Sequence, residues 1–140
     1  MKDSQLPDEL QRRVEAAFRA VPFAGLLGIE LVEIERGAAT VALEVRDELK
    51  QNNGVVHGGV IASLVDTAAA FVVLPFLDQG KSTTTVDLTI HYLRPLTEGR
   101  ATATARIVRA GRRILTISAE VLDERQAIAA TALATFIRLV

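Results

Sequence analysis

Gly54-Val55-Val56-His57-Gly58-Gly59-Val60-Ile61-Ala62-Ser63-Leu64-Val65-Asp66-Thr67-Ala68-Ala69-Ala70-Phe71 runs from a glycine-rich turn into an apolar segment that carries one carboxylate. Between Val60 and Leu77 the polar residues are Ser63, Asp66 and Thr67 alone. The predicted helix is therefore apolar on nearly every side and is expected to lie sheathed by protein at the centre of the fold. Seven residues bring a helix almost back to the same azimuth, so Gly59, Ser63, Asp66, Thr67 and Ala70 fall in one narrow stripe. That stripe is where a ligand has room to lie.

A carboxylate in such surroundings loses hydration worth several kcal/mol unless a partner or a wet cleft compensates it. Asp66 is read either as a buried group with chemistry to perform or as an acid that buttresses a neighbouring turn. The preceding glycines bear on that choice. Gly58 and Gly59 allow a ligand to approach the backbone closely, and the first N–H groups of a helix lack intrahelical acceptors while its dipole favours negative charge. A developing oxyanion would be stabilised there; the plainer alternative is a tight turn and no more.

Spacing adds a further expectation. Eight residues separate Gly58 from Asp66, which at helical rise is roughly 12 Å, too far for both to grip one carbonyl. Two copies with antiparallel central helices about a two-fold axis would set Gly58 of one against Asp66 of the other. A composite site in a homodimer is predicted.

Outside this stretch, the 140 residues, 49% of them hydrophobic, contain no linker-like tract or repeat, which indicates one globular domain. The longest apolar run is judged too short and too interrupted to span a bilayer, and Met1-Lys2-Asp3-Ser4 lacks a leader pattern. A cytoplasmic protein without a membrane partner is expected. Zero cysteines exclude a thiol nucleophile, and a net charge of −1 leaves no electrostatic footprint for nucleic acid.

Helical spacing through Leu10, Val14, Ala17 and Phe18 predicts a short peripheral helix over Asp8 to Ala20, closed by Pro22. Period-two alternation predicts a hairpin around Arg36-Gly37, with strands through Ile29, Leu31 and Glu33 and through Ala39, Val41, Leu43 and Val45. Four more strands are predicted, from Ser82 to Tyr92, Arg100 to Val108, Arg113 to Leu122 and Ile128 to Leu139. Small residues at Ala101, Ala103, Ala105, Ala130, Ala132 and Ala134 would let a helix lie close to the sheet. The expected class is α+β: an antiparallel sheet wrapped around one long central helix.

His57-Gly58-Gly59 with Asp66 seven residues after Gly59, Val86-Asp87-Leu88, and Tyr92-Leu93-Arg94-Pro95-Leu96 with Gly99 together resemble the hot dog fold acyl-CoA thioesterases. The resemblance is strongest to the PaaI-like branch, named for phenylacetate degradation. It covers Phe23 to Val140 and leaves residues 1–22 as an N-terminal helical extension before a thioesterase domain at 23–140. It implies that Asp66 is the catalytic carboxylate, acting as nucleophile or as base for water. It implies further that Gly58 supplies the oxyanion amide, that His57 orients the turn, and that Gln51 occupies the polar position binding the carbonyl oxygen or the attacking water. PaaI-like members usually carry Asn there, while Gln is typical of the 4-hydroxybenzoyl-CoA branch, so the pattern is mixed.

Thr85 falls where some relatives place a hydroxyl that positions water; an outward strand threonine is the equal alternative. Gly59 and one of Arg112 or Arg113, in the basic cluster around Gly111, are the candidate contacts to coenzyme A, which is part of the substrate rather than a cofactor. Glu120, Asp123 and Glu124 lie near enough in sequence to pair with those arginines. No metal is required by this chemistry, and the acids near His91 lack ligand spacing. His91 itself is read as an exposed strand residue. The implied protein hydrolyses an aryl- or medium-chain acyl-CoA to free acid and CoA, as a homodimer or, more fully, a homotetramer. The alternatives are a hydratase or dehydratase of acyl thioesters using His57 with Asp66, and a non-catalytic acyl-CoA binding protein.

Overall fold

Asp8 and Glu9 in the first turn and Arg19 in the last suit the dipole of α1 (Asp8–Arg19). The structure, a computed structural model, describes residues 4–140. Met1 to Asp3, part of the stretch read for a leader, lie outside the described residues. Pro22 does not merely end α1: it opens a second helix, α2 (Pro22–Leu27), which the alternation reading missed. Proline is suited to a first helical turn, where its lack of an N–H matters least. Gly28 closes α2 at φ 74°, in the left-handed region glycine tolerates, and the Arg46 guanidinium donates to the Leu26 and Leu27 carbonyls at 3.0 and 2.8 Å.

The remaining elements are β1 (Glu30–Glu35), β2 (Ala38–Glu44), α3 (Gly58–Val73), β3 (Thr83–Tyr92), β4 (Arg100–Ala110), β5 (Ile114–Leu122) and β6 (Ile128–Arg138). All six strands pair antiparallel in one sheet of order β1-β2-β4-β5-β6-β3, and α3 lies against its inner face, over β2, β4 and β5 most closely. The expected architecture is therefore present. Register aligns Val41, Ala103, Val121, Ala130 and Tyr92 in one inward row across five strands. Ala101, Ala103, Ala105, Ala130, Ala132 and Ala134 are all buried, and so are Ala68 and Ala69 on the facing helix. Small side chains on both surfaces bring helix and sheet backbones together while keeping the density of a protein interior. Val14 of α1 is fully enclosed, and the Phe18 ring meets Phe71 of α3 edge to face at 4.9 Å, so α1 shares this core.

Three details differ from expectation. Regular helix stops at Val73, and Leu74–Phe76 tightens into a 3₁₀ turn; Pro75 cannot supply the N–H that would continue the α-helical ladder. Gly58–Phe76 is long and apolar enough, by length and composition, to cross a membrane, contrary to the reading of that run as too short. In the fold its apolar side is covered by the sheet. Nor is α3 sheathed all round: Ile61, Leu64, Val65, Ala68, Ala69 and Val72 are buried, whereas Ser63, Asp66, Thr67 and Ala70 are half-buried and Gly59 is exposed. The stripe picked out by helical spacing is the side that the sheet leaves open.

Candidate active site

Helix α3 begins with its donors sorted among different partners. His57 is the N-cap, in extended backbone at φ −61° and ψ 135°, and its Nδ1 accepts from the Gly59 N–H at 2.8 Å. That bond selects the neutral tautomer protonated at Nε2. A Cβ on residue 59 would come within 2.9 Å of Nδ1, so a side chain there would push the His57 ring out of this bond. The Val60 N–H reaches the His57 carbonyl at 2.9 Å. The Gly58 N–H finds no acceptor among the described residues, leaving one helix-end amide free to face an anion.

The carboxylate is positioned by the sheet. Asp66 Oδ1 accepts a hydrogen bond from the Thr85 hydroxyl at 2.8 Å, and Oδ2 has no partner among the described residues. Simple alternation places Thr85 opposite Leu88 and Ile90, on the outer face. A β-bulge between Thr85 and Asp87 reverses this: Val86 is the extra residue and stands 59% exposed, while Thr85 pairs with buried Phe136 on the inward side. Sequence reading left Thr85 between inward and outward; the bulge turns it inward. Asp66 itself is half-buried in the single chain rather than enclosed. Ser63, one turn earlier, donates its hydroxyl to the Gly59 carbonyl at 2.8 Å and so does not serve Asp66.

Gln51 lies in the turn ahead of α3, where its backbone bonds with Val55 and Gly54 leave the side chain exposed. It shares with Gly58, Ile61, Tyr92, Arg94 and Leu96 a surface cavity of about 280 Å³. Tyr92 was not singled out from sequence as a site residue. A signal existed: alternation put the chain's lone tyrosine on the same face as Leu88 and Ile90, toward the helix. The hydroxyl donates to the Gly58 carbonyl at 3.1 Å.

Arg112 and Arg113 are exposed in the β4–β5 turn, beside Arg138 and the start of β3. Tyr92, at the other end of the ten-residue strand, is roughly 30 Å away, so one chain does not bring these arginines to the Gly58 turn. They stand at the end of the sheet nearer Thr85. Nor do the acids proposed as their partners reach them: Asp123 caps its own turn by accepting from the Arg125 and Ala127 N–H groups, and Glu124 lies over Gly99. The β-sheet ion pairs instead join Arg100 to Glu30 and Glu44. His91 is exposed on β3, as predicted.

An antiparallel sheet curled around a single central helix is the hot dog fold, and here it carries a glycine turn at the helix start and a carboxylate halfway along. The chain belongs to the thioesterase superfamily, whose sequence model matches residues 53–130, and it is a thioesterase. It is 33% identical over 131 residues to the Escherichia coli medium/long-chain acyl-CoA thioesterase YigI, covering 83% of this chain and 84% of that one. It is also similar to the structure of the Escherichia coli PaaI protein from the phenylacetic acid degradation operon, at a TM-score of 0.85, 26% identity and 94% coverage of each chain. A thioesterase family protein from Silicibacter pomeroyi shares the fold at a TM-score of 0.88 and 21% identity, with 94% of this chain and 98% of that one covered. The resemblance to the PaaI-like branch holds.

Proposed function

We propose that the protein hydrolyses acyl-CoA thioesters, with Asp66 as the reacting carboxylate and the Gly58 N–H as oxyanion donor. The observation that carries this is the presence, on one helix, of an oriented carboxylate, free at Oδ2, and one unpaired amide at the N-terminal end. In the nucleophilic route Oδ2 adds to the thioester carbonyl, the oxyanion rests on the Gly58 N–H, and the C–S bond breaks to release CoA thiolate. Water then cleaves the resulting anhydride and regenerates the carboxylate. In the base route Asp66 takes a proton from water as that water adds. Both need the same two groups.

The roughly 12 Å between them along the helix supports a site shared between two copies. β3 is an edge strand of the sheet beside the open stripe, so an antiparallel second copy there would extend the sheet and bring Gly58 toward the other Asp66. Gln51 would then bind the carbonyl oxygen or the water. Gly59 and Arg112 or Arg113 would meet the CoA portion. A homodimer is the minimal unit in this reading, a homotetramer its fuller form, and the cytoplasm its setting. An acyl-CoA substrate accords with the likeness to YigI, and an aryl or medium-chain group is the acyl portion of this reading.

Free-thiol release from phenylacetyl-, benzoyl-, octanoyl- and palmitoyl-CoA tests the reading: release at least 10²-fold above the uncatalysed rate is expected for one or more of them, and none across the panel refutes it. Thr85→Val, which keeps the β-branched shape but removes the donor to Asp66, is expected to lower kcat about tenfold and stability by about 1 kcal/mol. Steady-state kinetics and urea denaturation of the variant check both figures.

A further inference from the structure

The two bonds at the start of α3 close on a single peptide unit. The Gly58 carbonyl accepts from the Tyr92 hydroxyl at 3.1 Å, and the Gly59 N–H, the other end of the same peptide, donates to His57 Nδ1 at 2.8 Å. Such a double clamp is worth having at this position. Glycine has the widest choice of backbone angles, so two in succession give the turn freedom that a fixed oxyanion donor must not have. Holding the 58–59 plane restricts ψ of Gly58 and, through it, the direction in which the preceding plane carries the Gly58 N–H. Tyr92 reaches this spot because it ends the inward row from Val41 to Ala130. Its ring also lies against Gly58, where an added Cβ would touch Cζ and Cε1 at 3.4 and 3.5 Å.

We propose that Tyr92 is a positioning residue for catalysis, holding the Gly58–Gly59 peptide from the carbonyl side so that the Gly58 amide points at the substrate oxyanion. The proposal rests on the thioesterase reading given above for Gly58. Tyr92 acts through the backbone and needs no contact with substrate. A group that merely stabilised the fold would affect unfolding. One that aims an oxyanion donor acts on the transition state, and so on kcat rather than KM.

Tyr92→Phe isolates the hydroxyl. The ring and its packing on Gly58 remain, and with Tyr92 53% exposed the change leaves no enclosed cavity, so the variant is expected to fold. Gly58–Gly59 is the only glycine pair in the sequence. Labelling glycine with ¹³C at the carbonyl and ¹⁵N at the amide therefore yields one carbonyl-to-amide NMR correlation, from this peptide alone. In Tyr92→Phe that correlation is expected to move in its carbonyl dimension, while kcat falls about tenfold, KM stays within about twofold of wild type and the melting temperature is nearly unchanged. An unmoved correlation would show that the clamp is absent in solution and overturn the proposal. A moved correlation with wild-type kcat, or a loss confined to KM or to thermal stability, would overturn it equally. A wild-type protein without hydrolysis of any thioester would instead bring down the functional reading, and the positioning role with it.

Discussion

Asp66→Asn is expected to lower kcat by about 10³-fold, within the range for loss of a positioned acid–base group, while the protein melts within a few degrees of wild type. The asparagine side chain has nearly the same volume, and its carbonyl oxygen still accepts the Thr85 hydroxyl that Oδ1 accepts at 2.8 Å. The half-buried position demands no new desolvation. What disappears is the negative charge and the free Oδ2 oxygen. An amide neither adds to a thioester nor takes a proton from water, so both mechanistic routes fail together. Thiol release under saturating acyl-CoA, beside a thermal melt of the same preparation, makes the test. A variant within tenfold of wild type would remove Asp66 from the mechanism.

Gly58→Pro is the matching deletion at the other end of the site, because it replaces the amide hydrogen with carbon. Local geometry favours the change. Residue 58 is the first of α3, the helical position proline tolerates best, and His57 already has the extended backbone that a following proline demands. The variant is expected to fold and to lose 10²- to 10³-fold in kcat, roughly the effect of removing one oxyanion donor. Mixing it with Asp66→Asn under conditions of subunit exchange then tests the shared site. Where Gly58 and Asp66 act from different copies, a mixed dimer holds one doubly damaged site and one intact site. About half of the dimers are mixed at equal input, so about a quarter of wild-type activity should return. Exchange verified by mass spectrometry without recovery would place both groups of a working site in one chain.

The central helix and the strands that enclose it were readable because each rests on local patterning: a run from Val60 to Val73 that is apolar except at Ser63, Asp66 and Thr67, alternation elsewhere, and glycines at the turns. The open stripe was readable for the same reason, since azimuth follows from residue number alone. Errors occurred where one residue changed the count. Val86 looks like any inward strand valine, yet as a bulge it stands outside and reverses the face of Thr85. A proline read as the stop of one helix was the start of another, as both uses exploit the same missing N–H.

His57, Gly58, Gly59 and Asp66 lie within ten residues, so their order along one helix and the distance between them were determined by the chain before any folding. Which amide stays free was not, because it depends on where the His57 ring and the neighbouring carbonyls come to rest. Thr85 meets Asp66 across 19 residues, and Tyr92 meets Gly58 across 34. Hydrogen bonds of that separation exist only once β3 has taken its bulged register against β6, since a one-residue slip in a strand sends every side chain to the other face. The carboxylate and the glycine turn are thus properties of the sequence; their orientation is a property of the folded sheet.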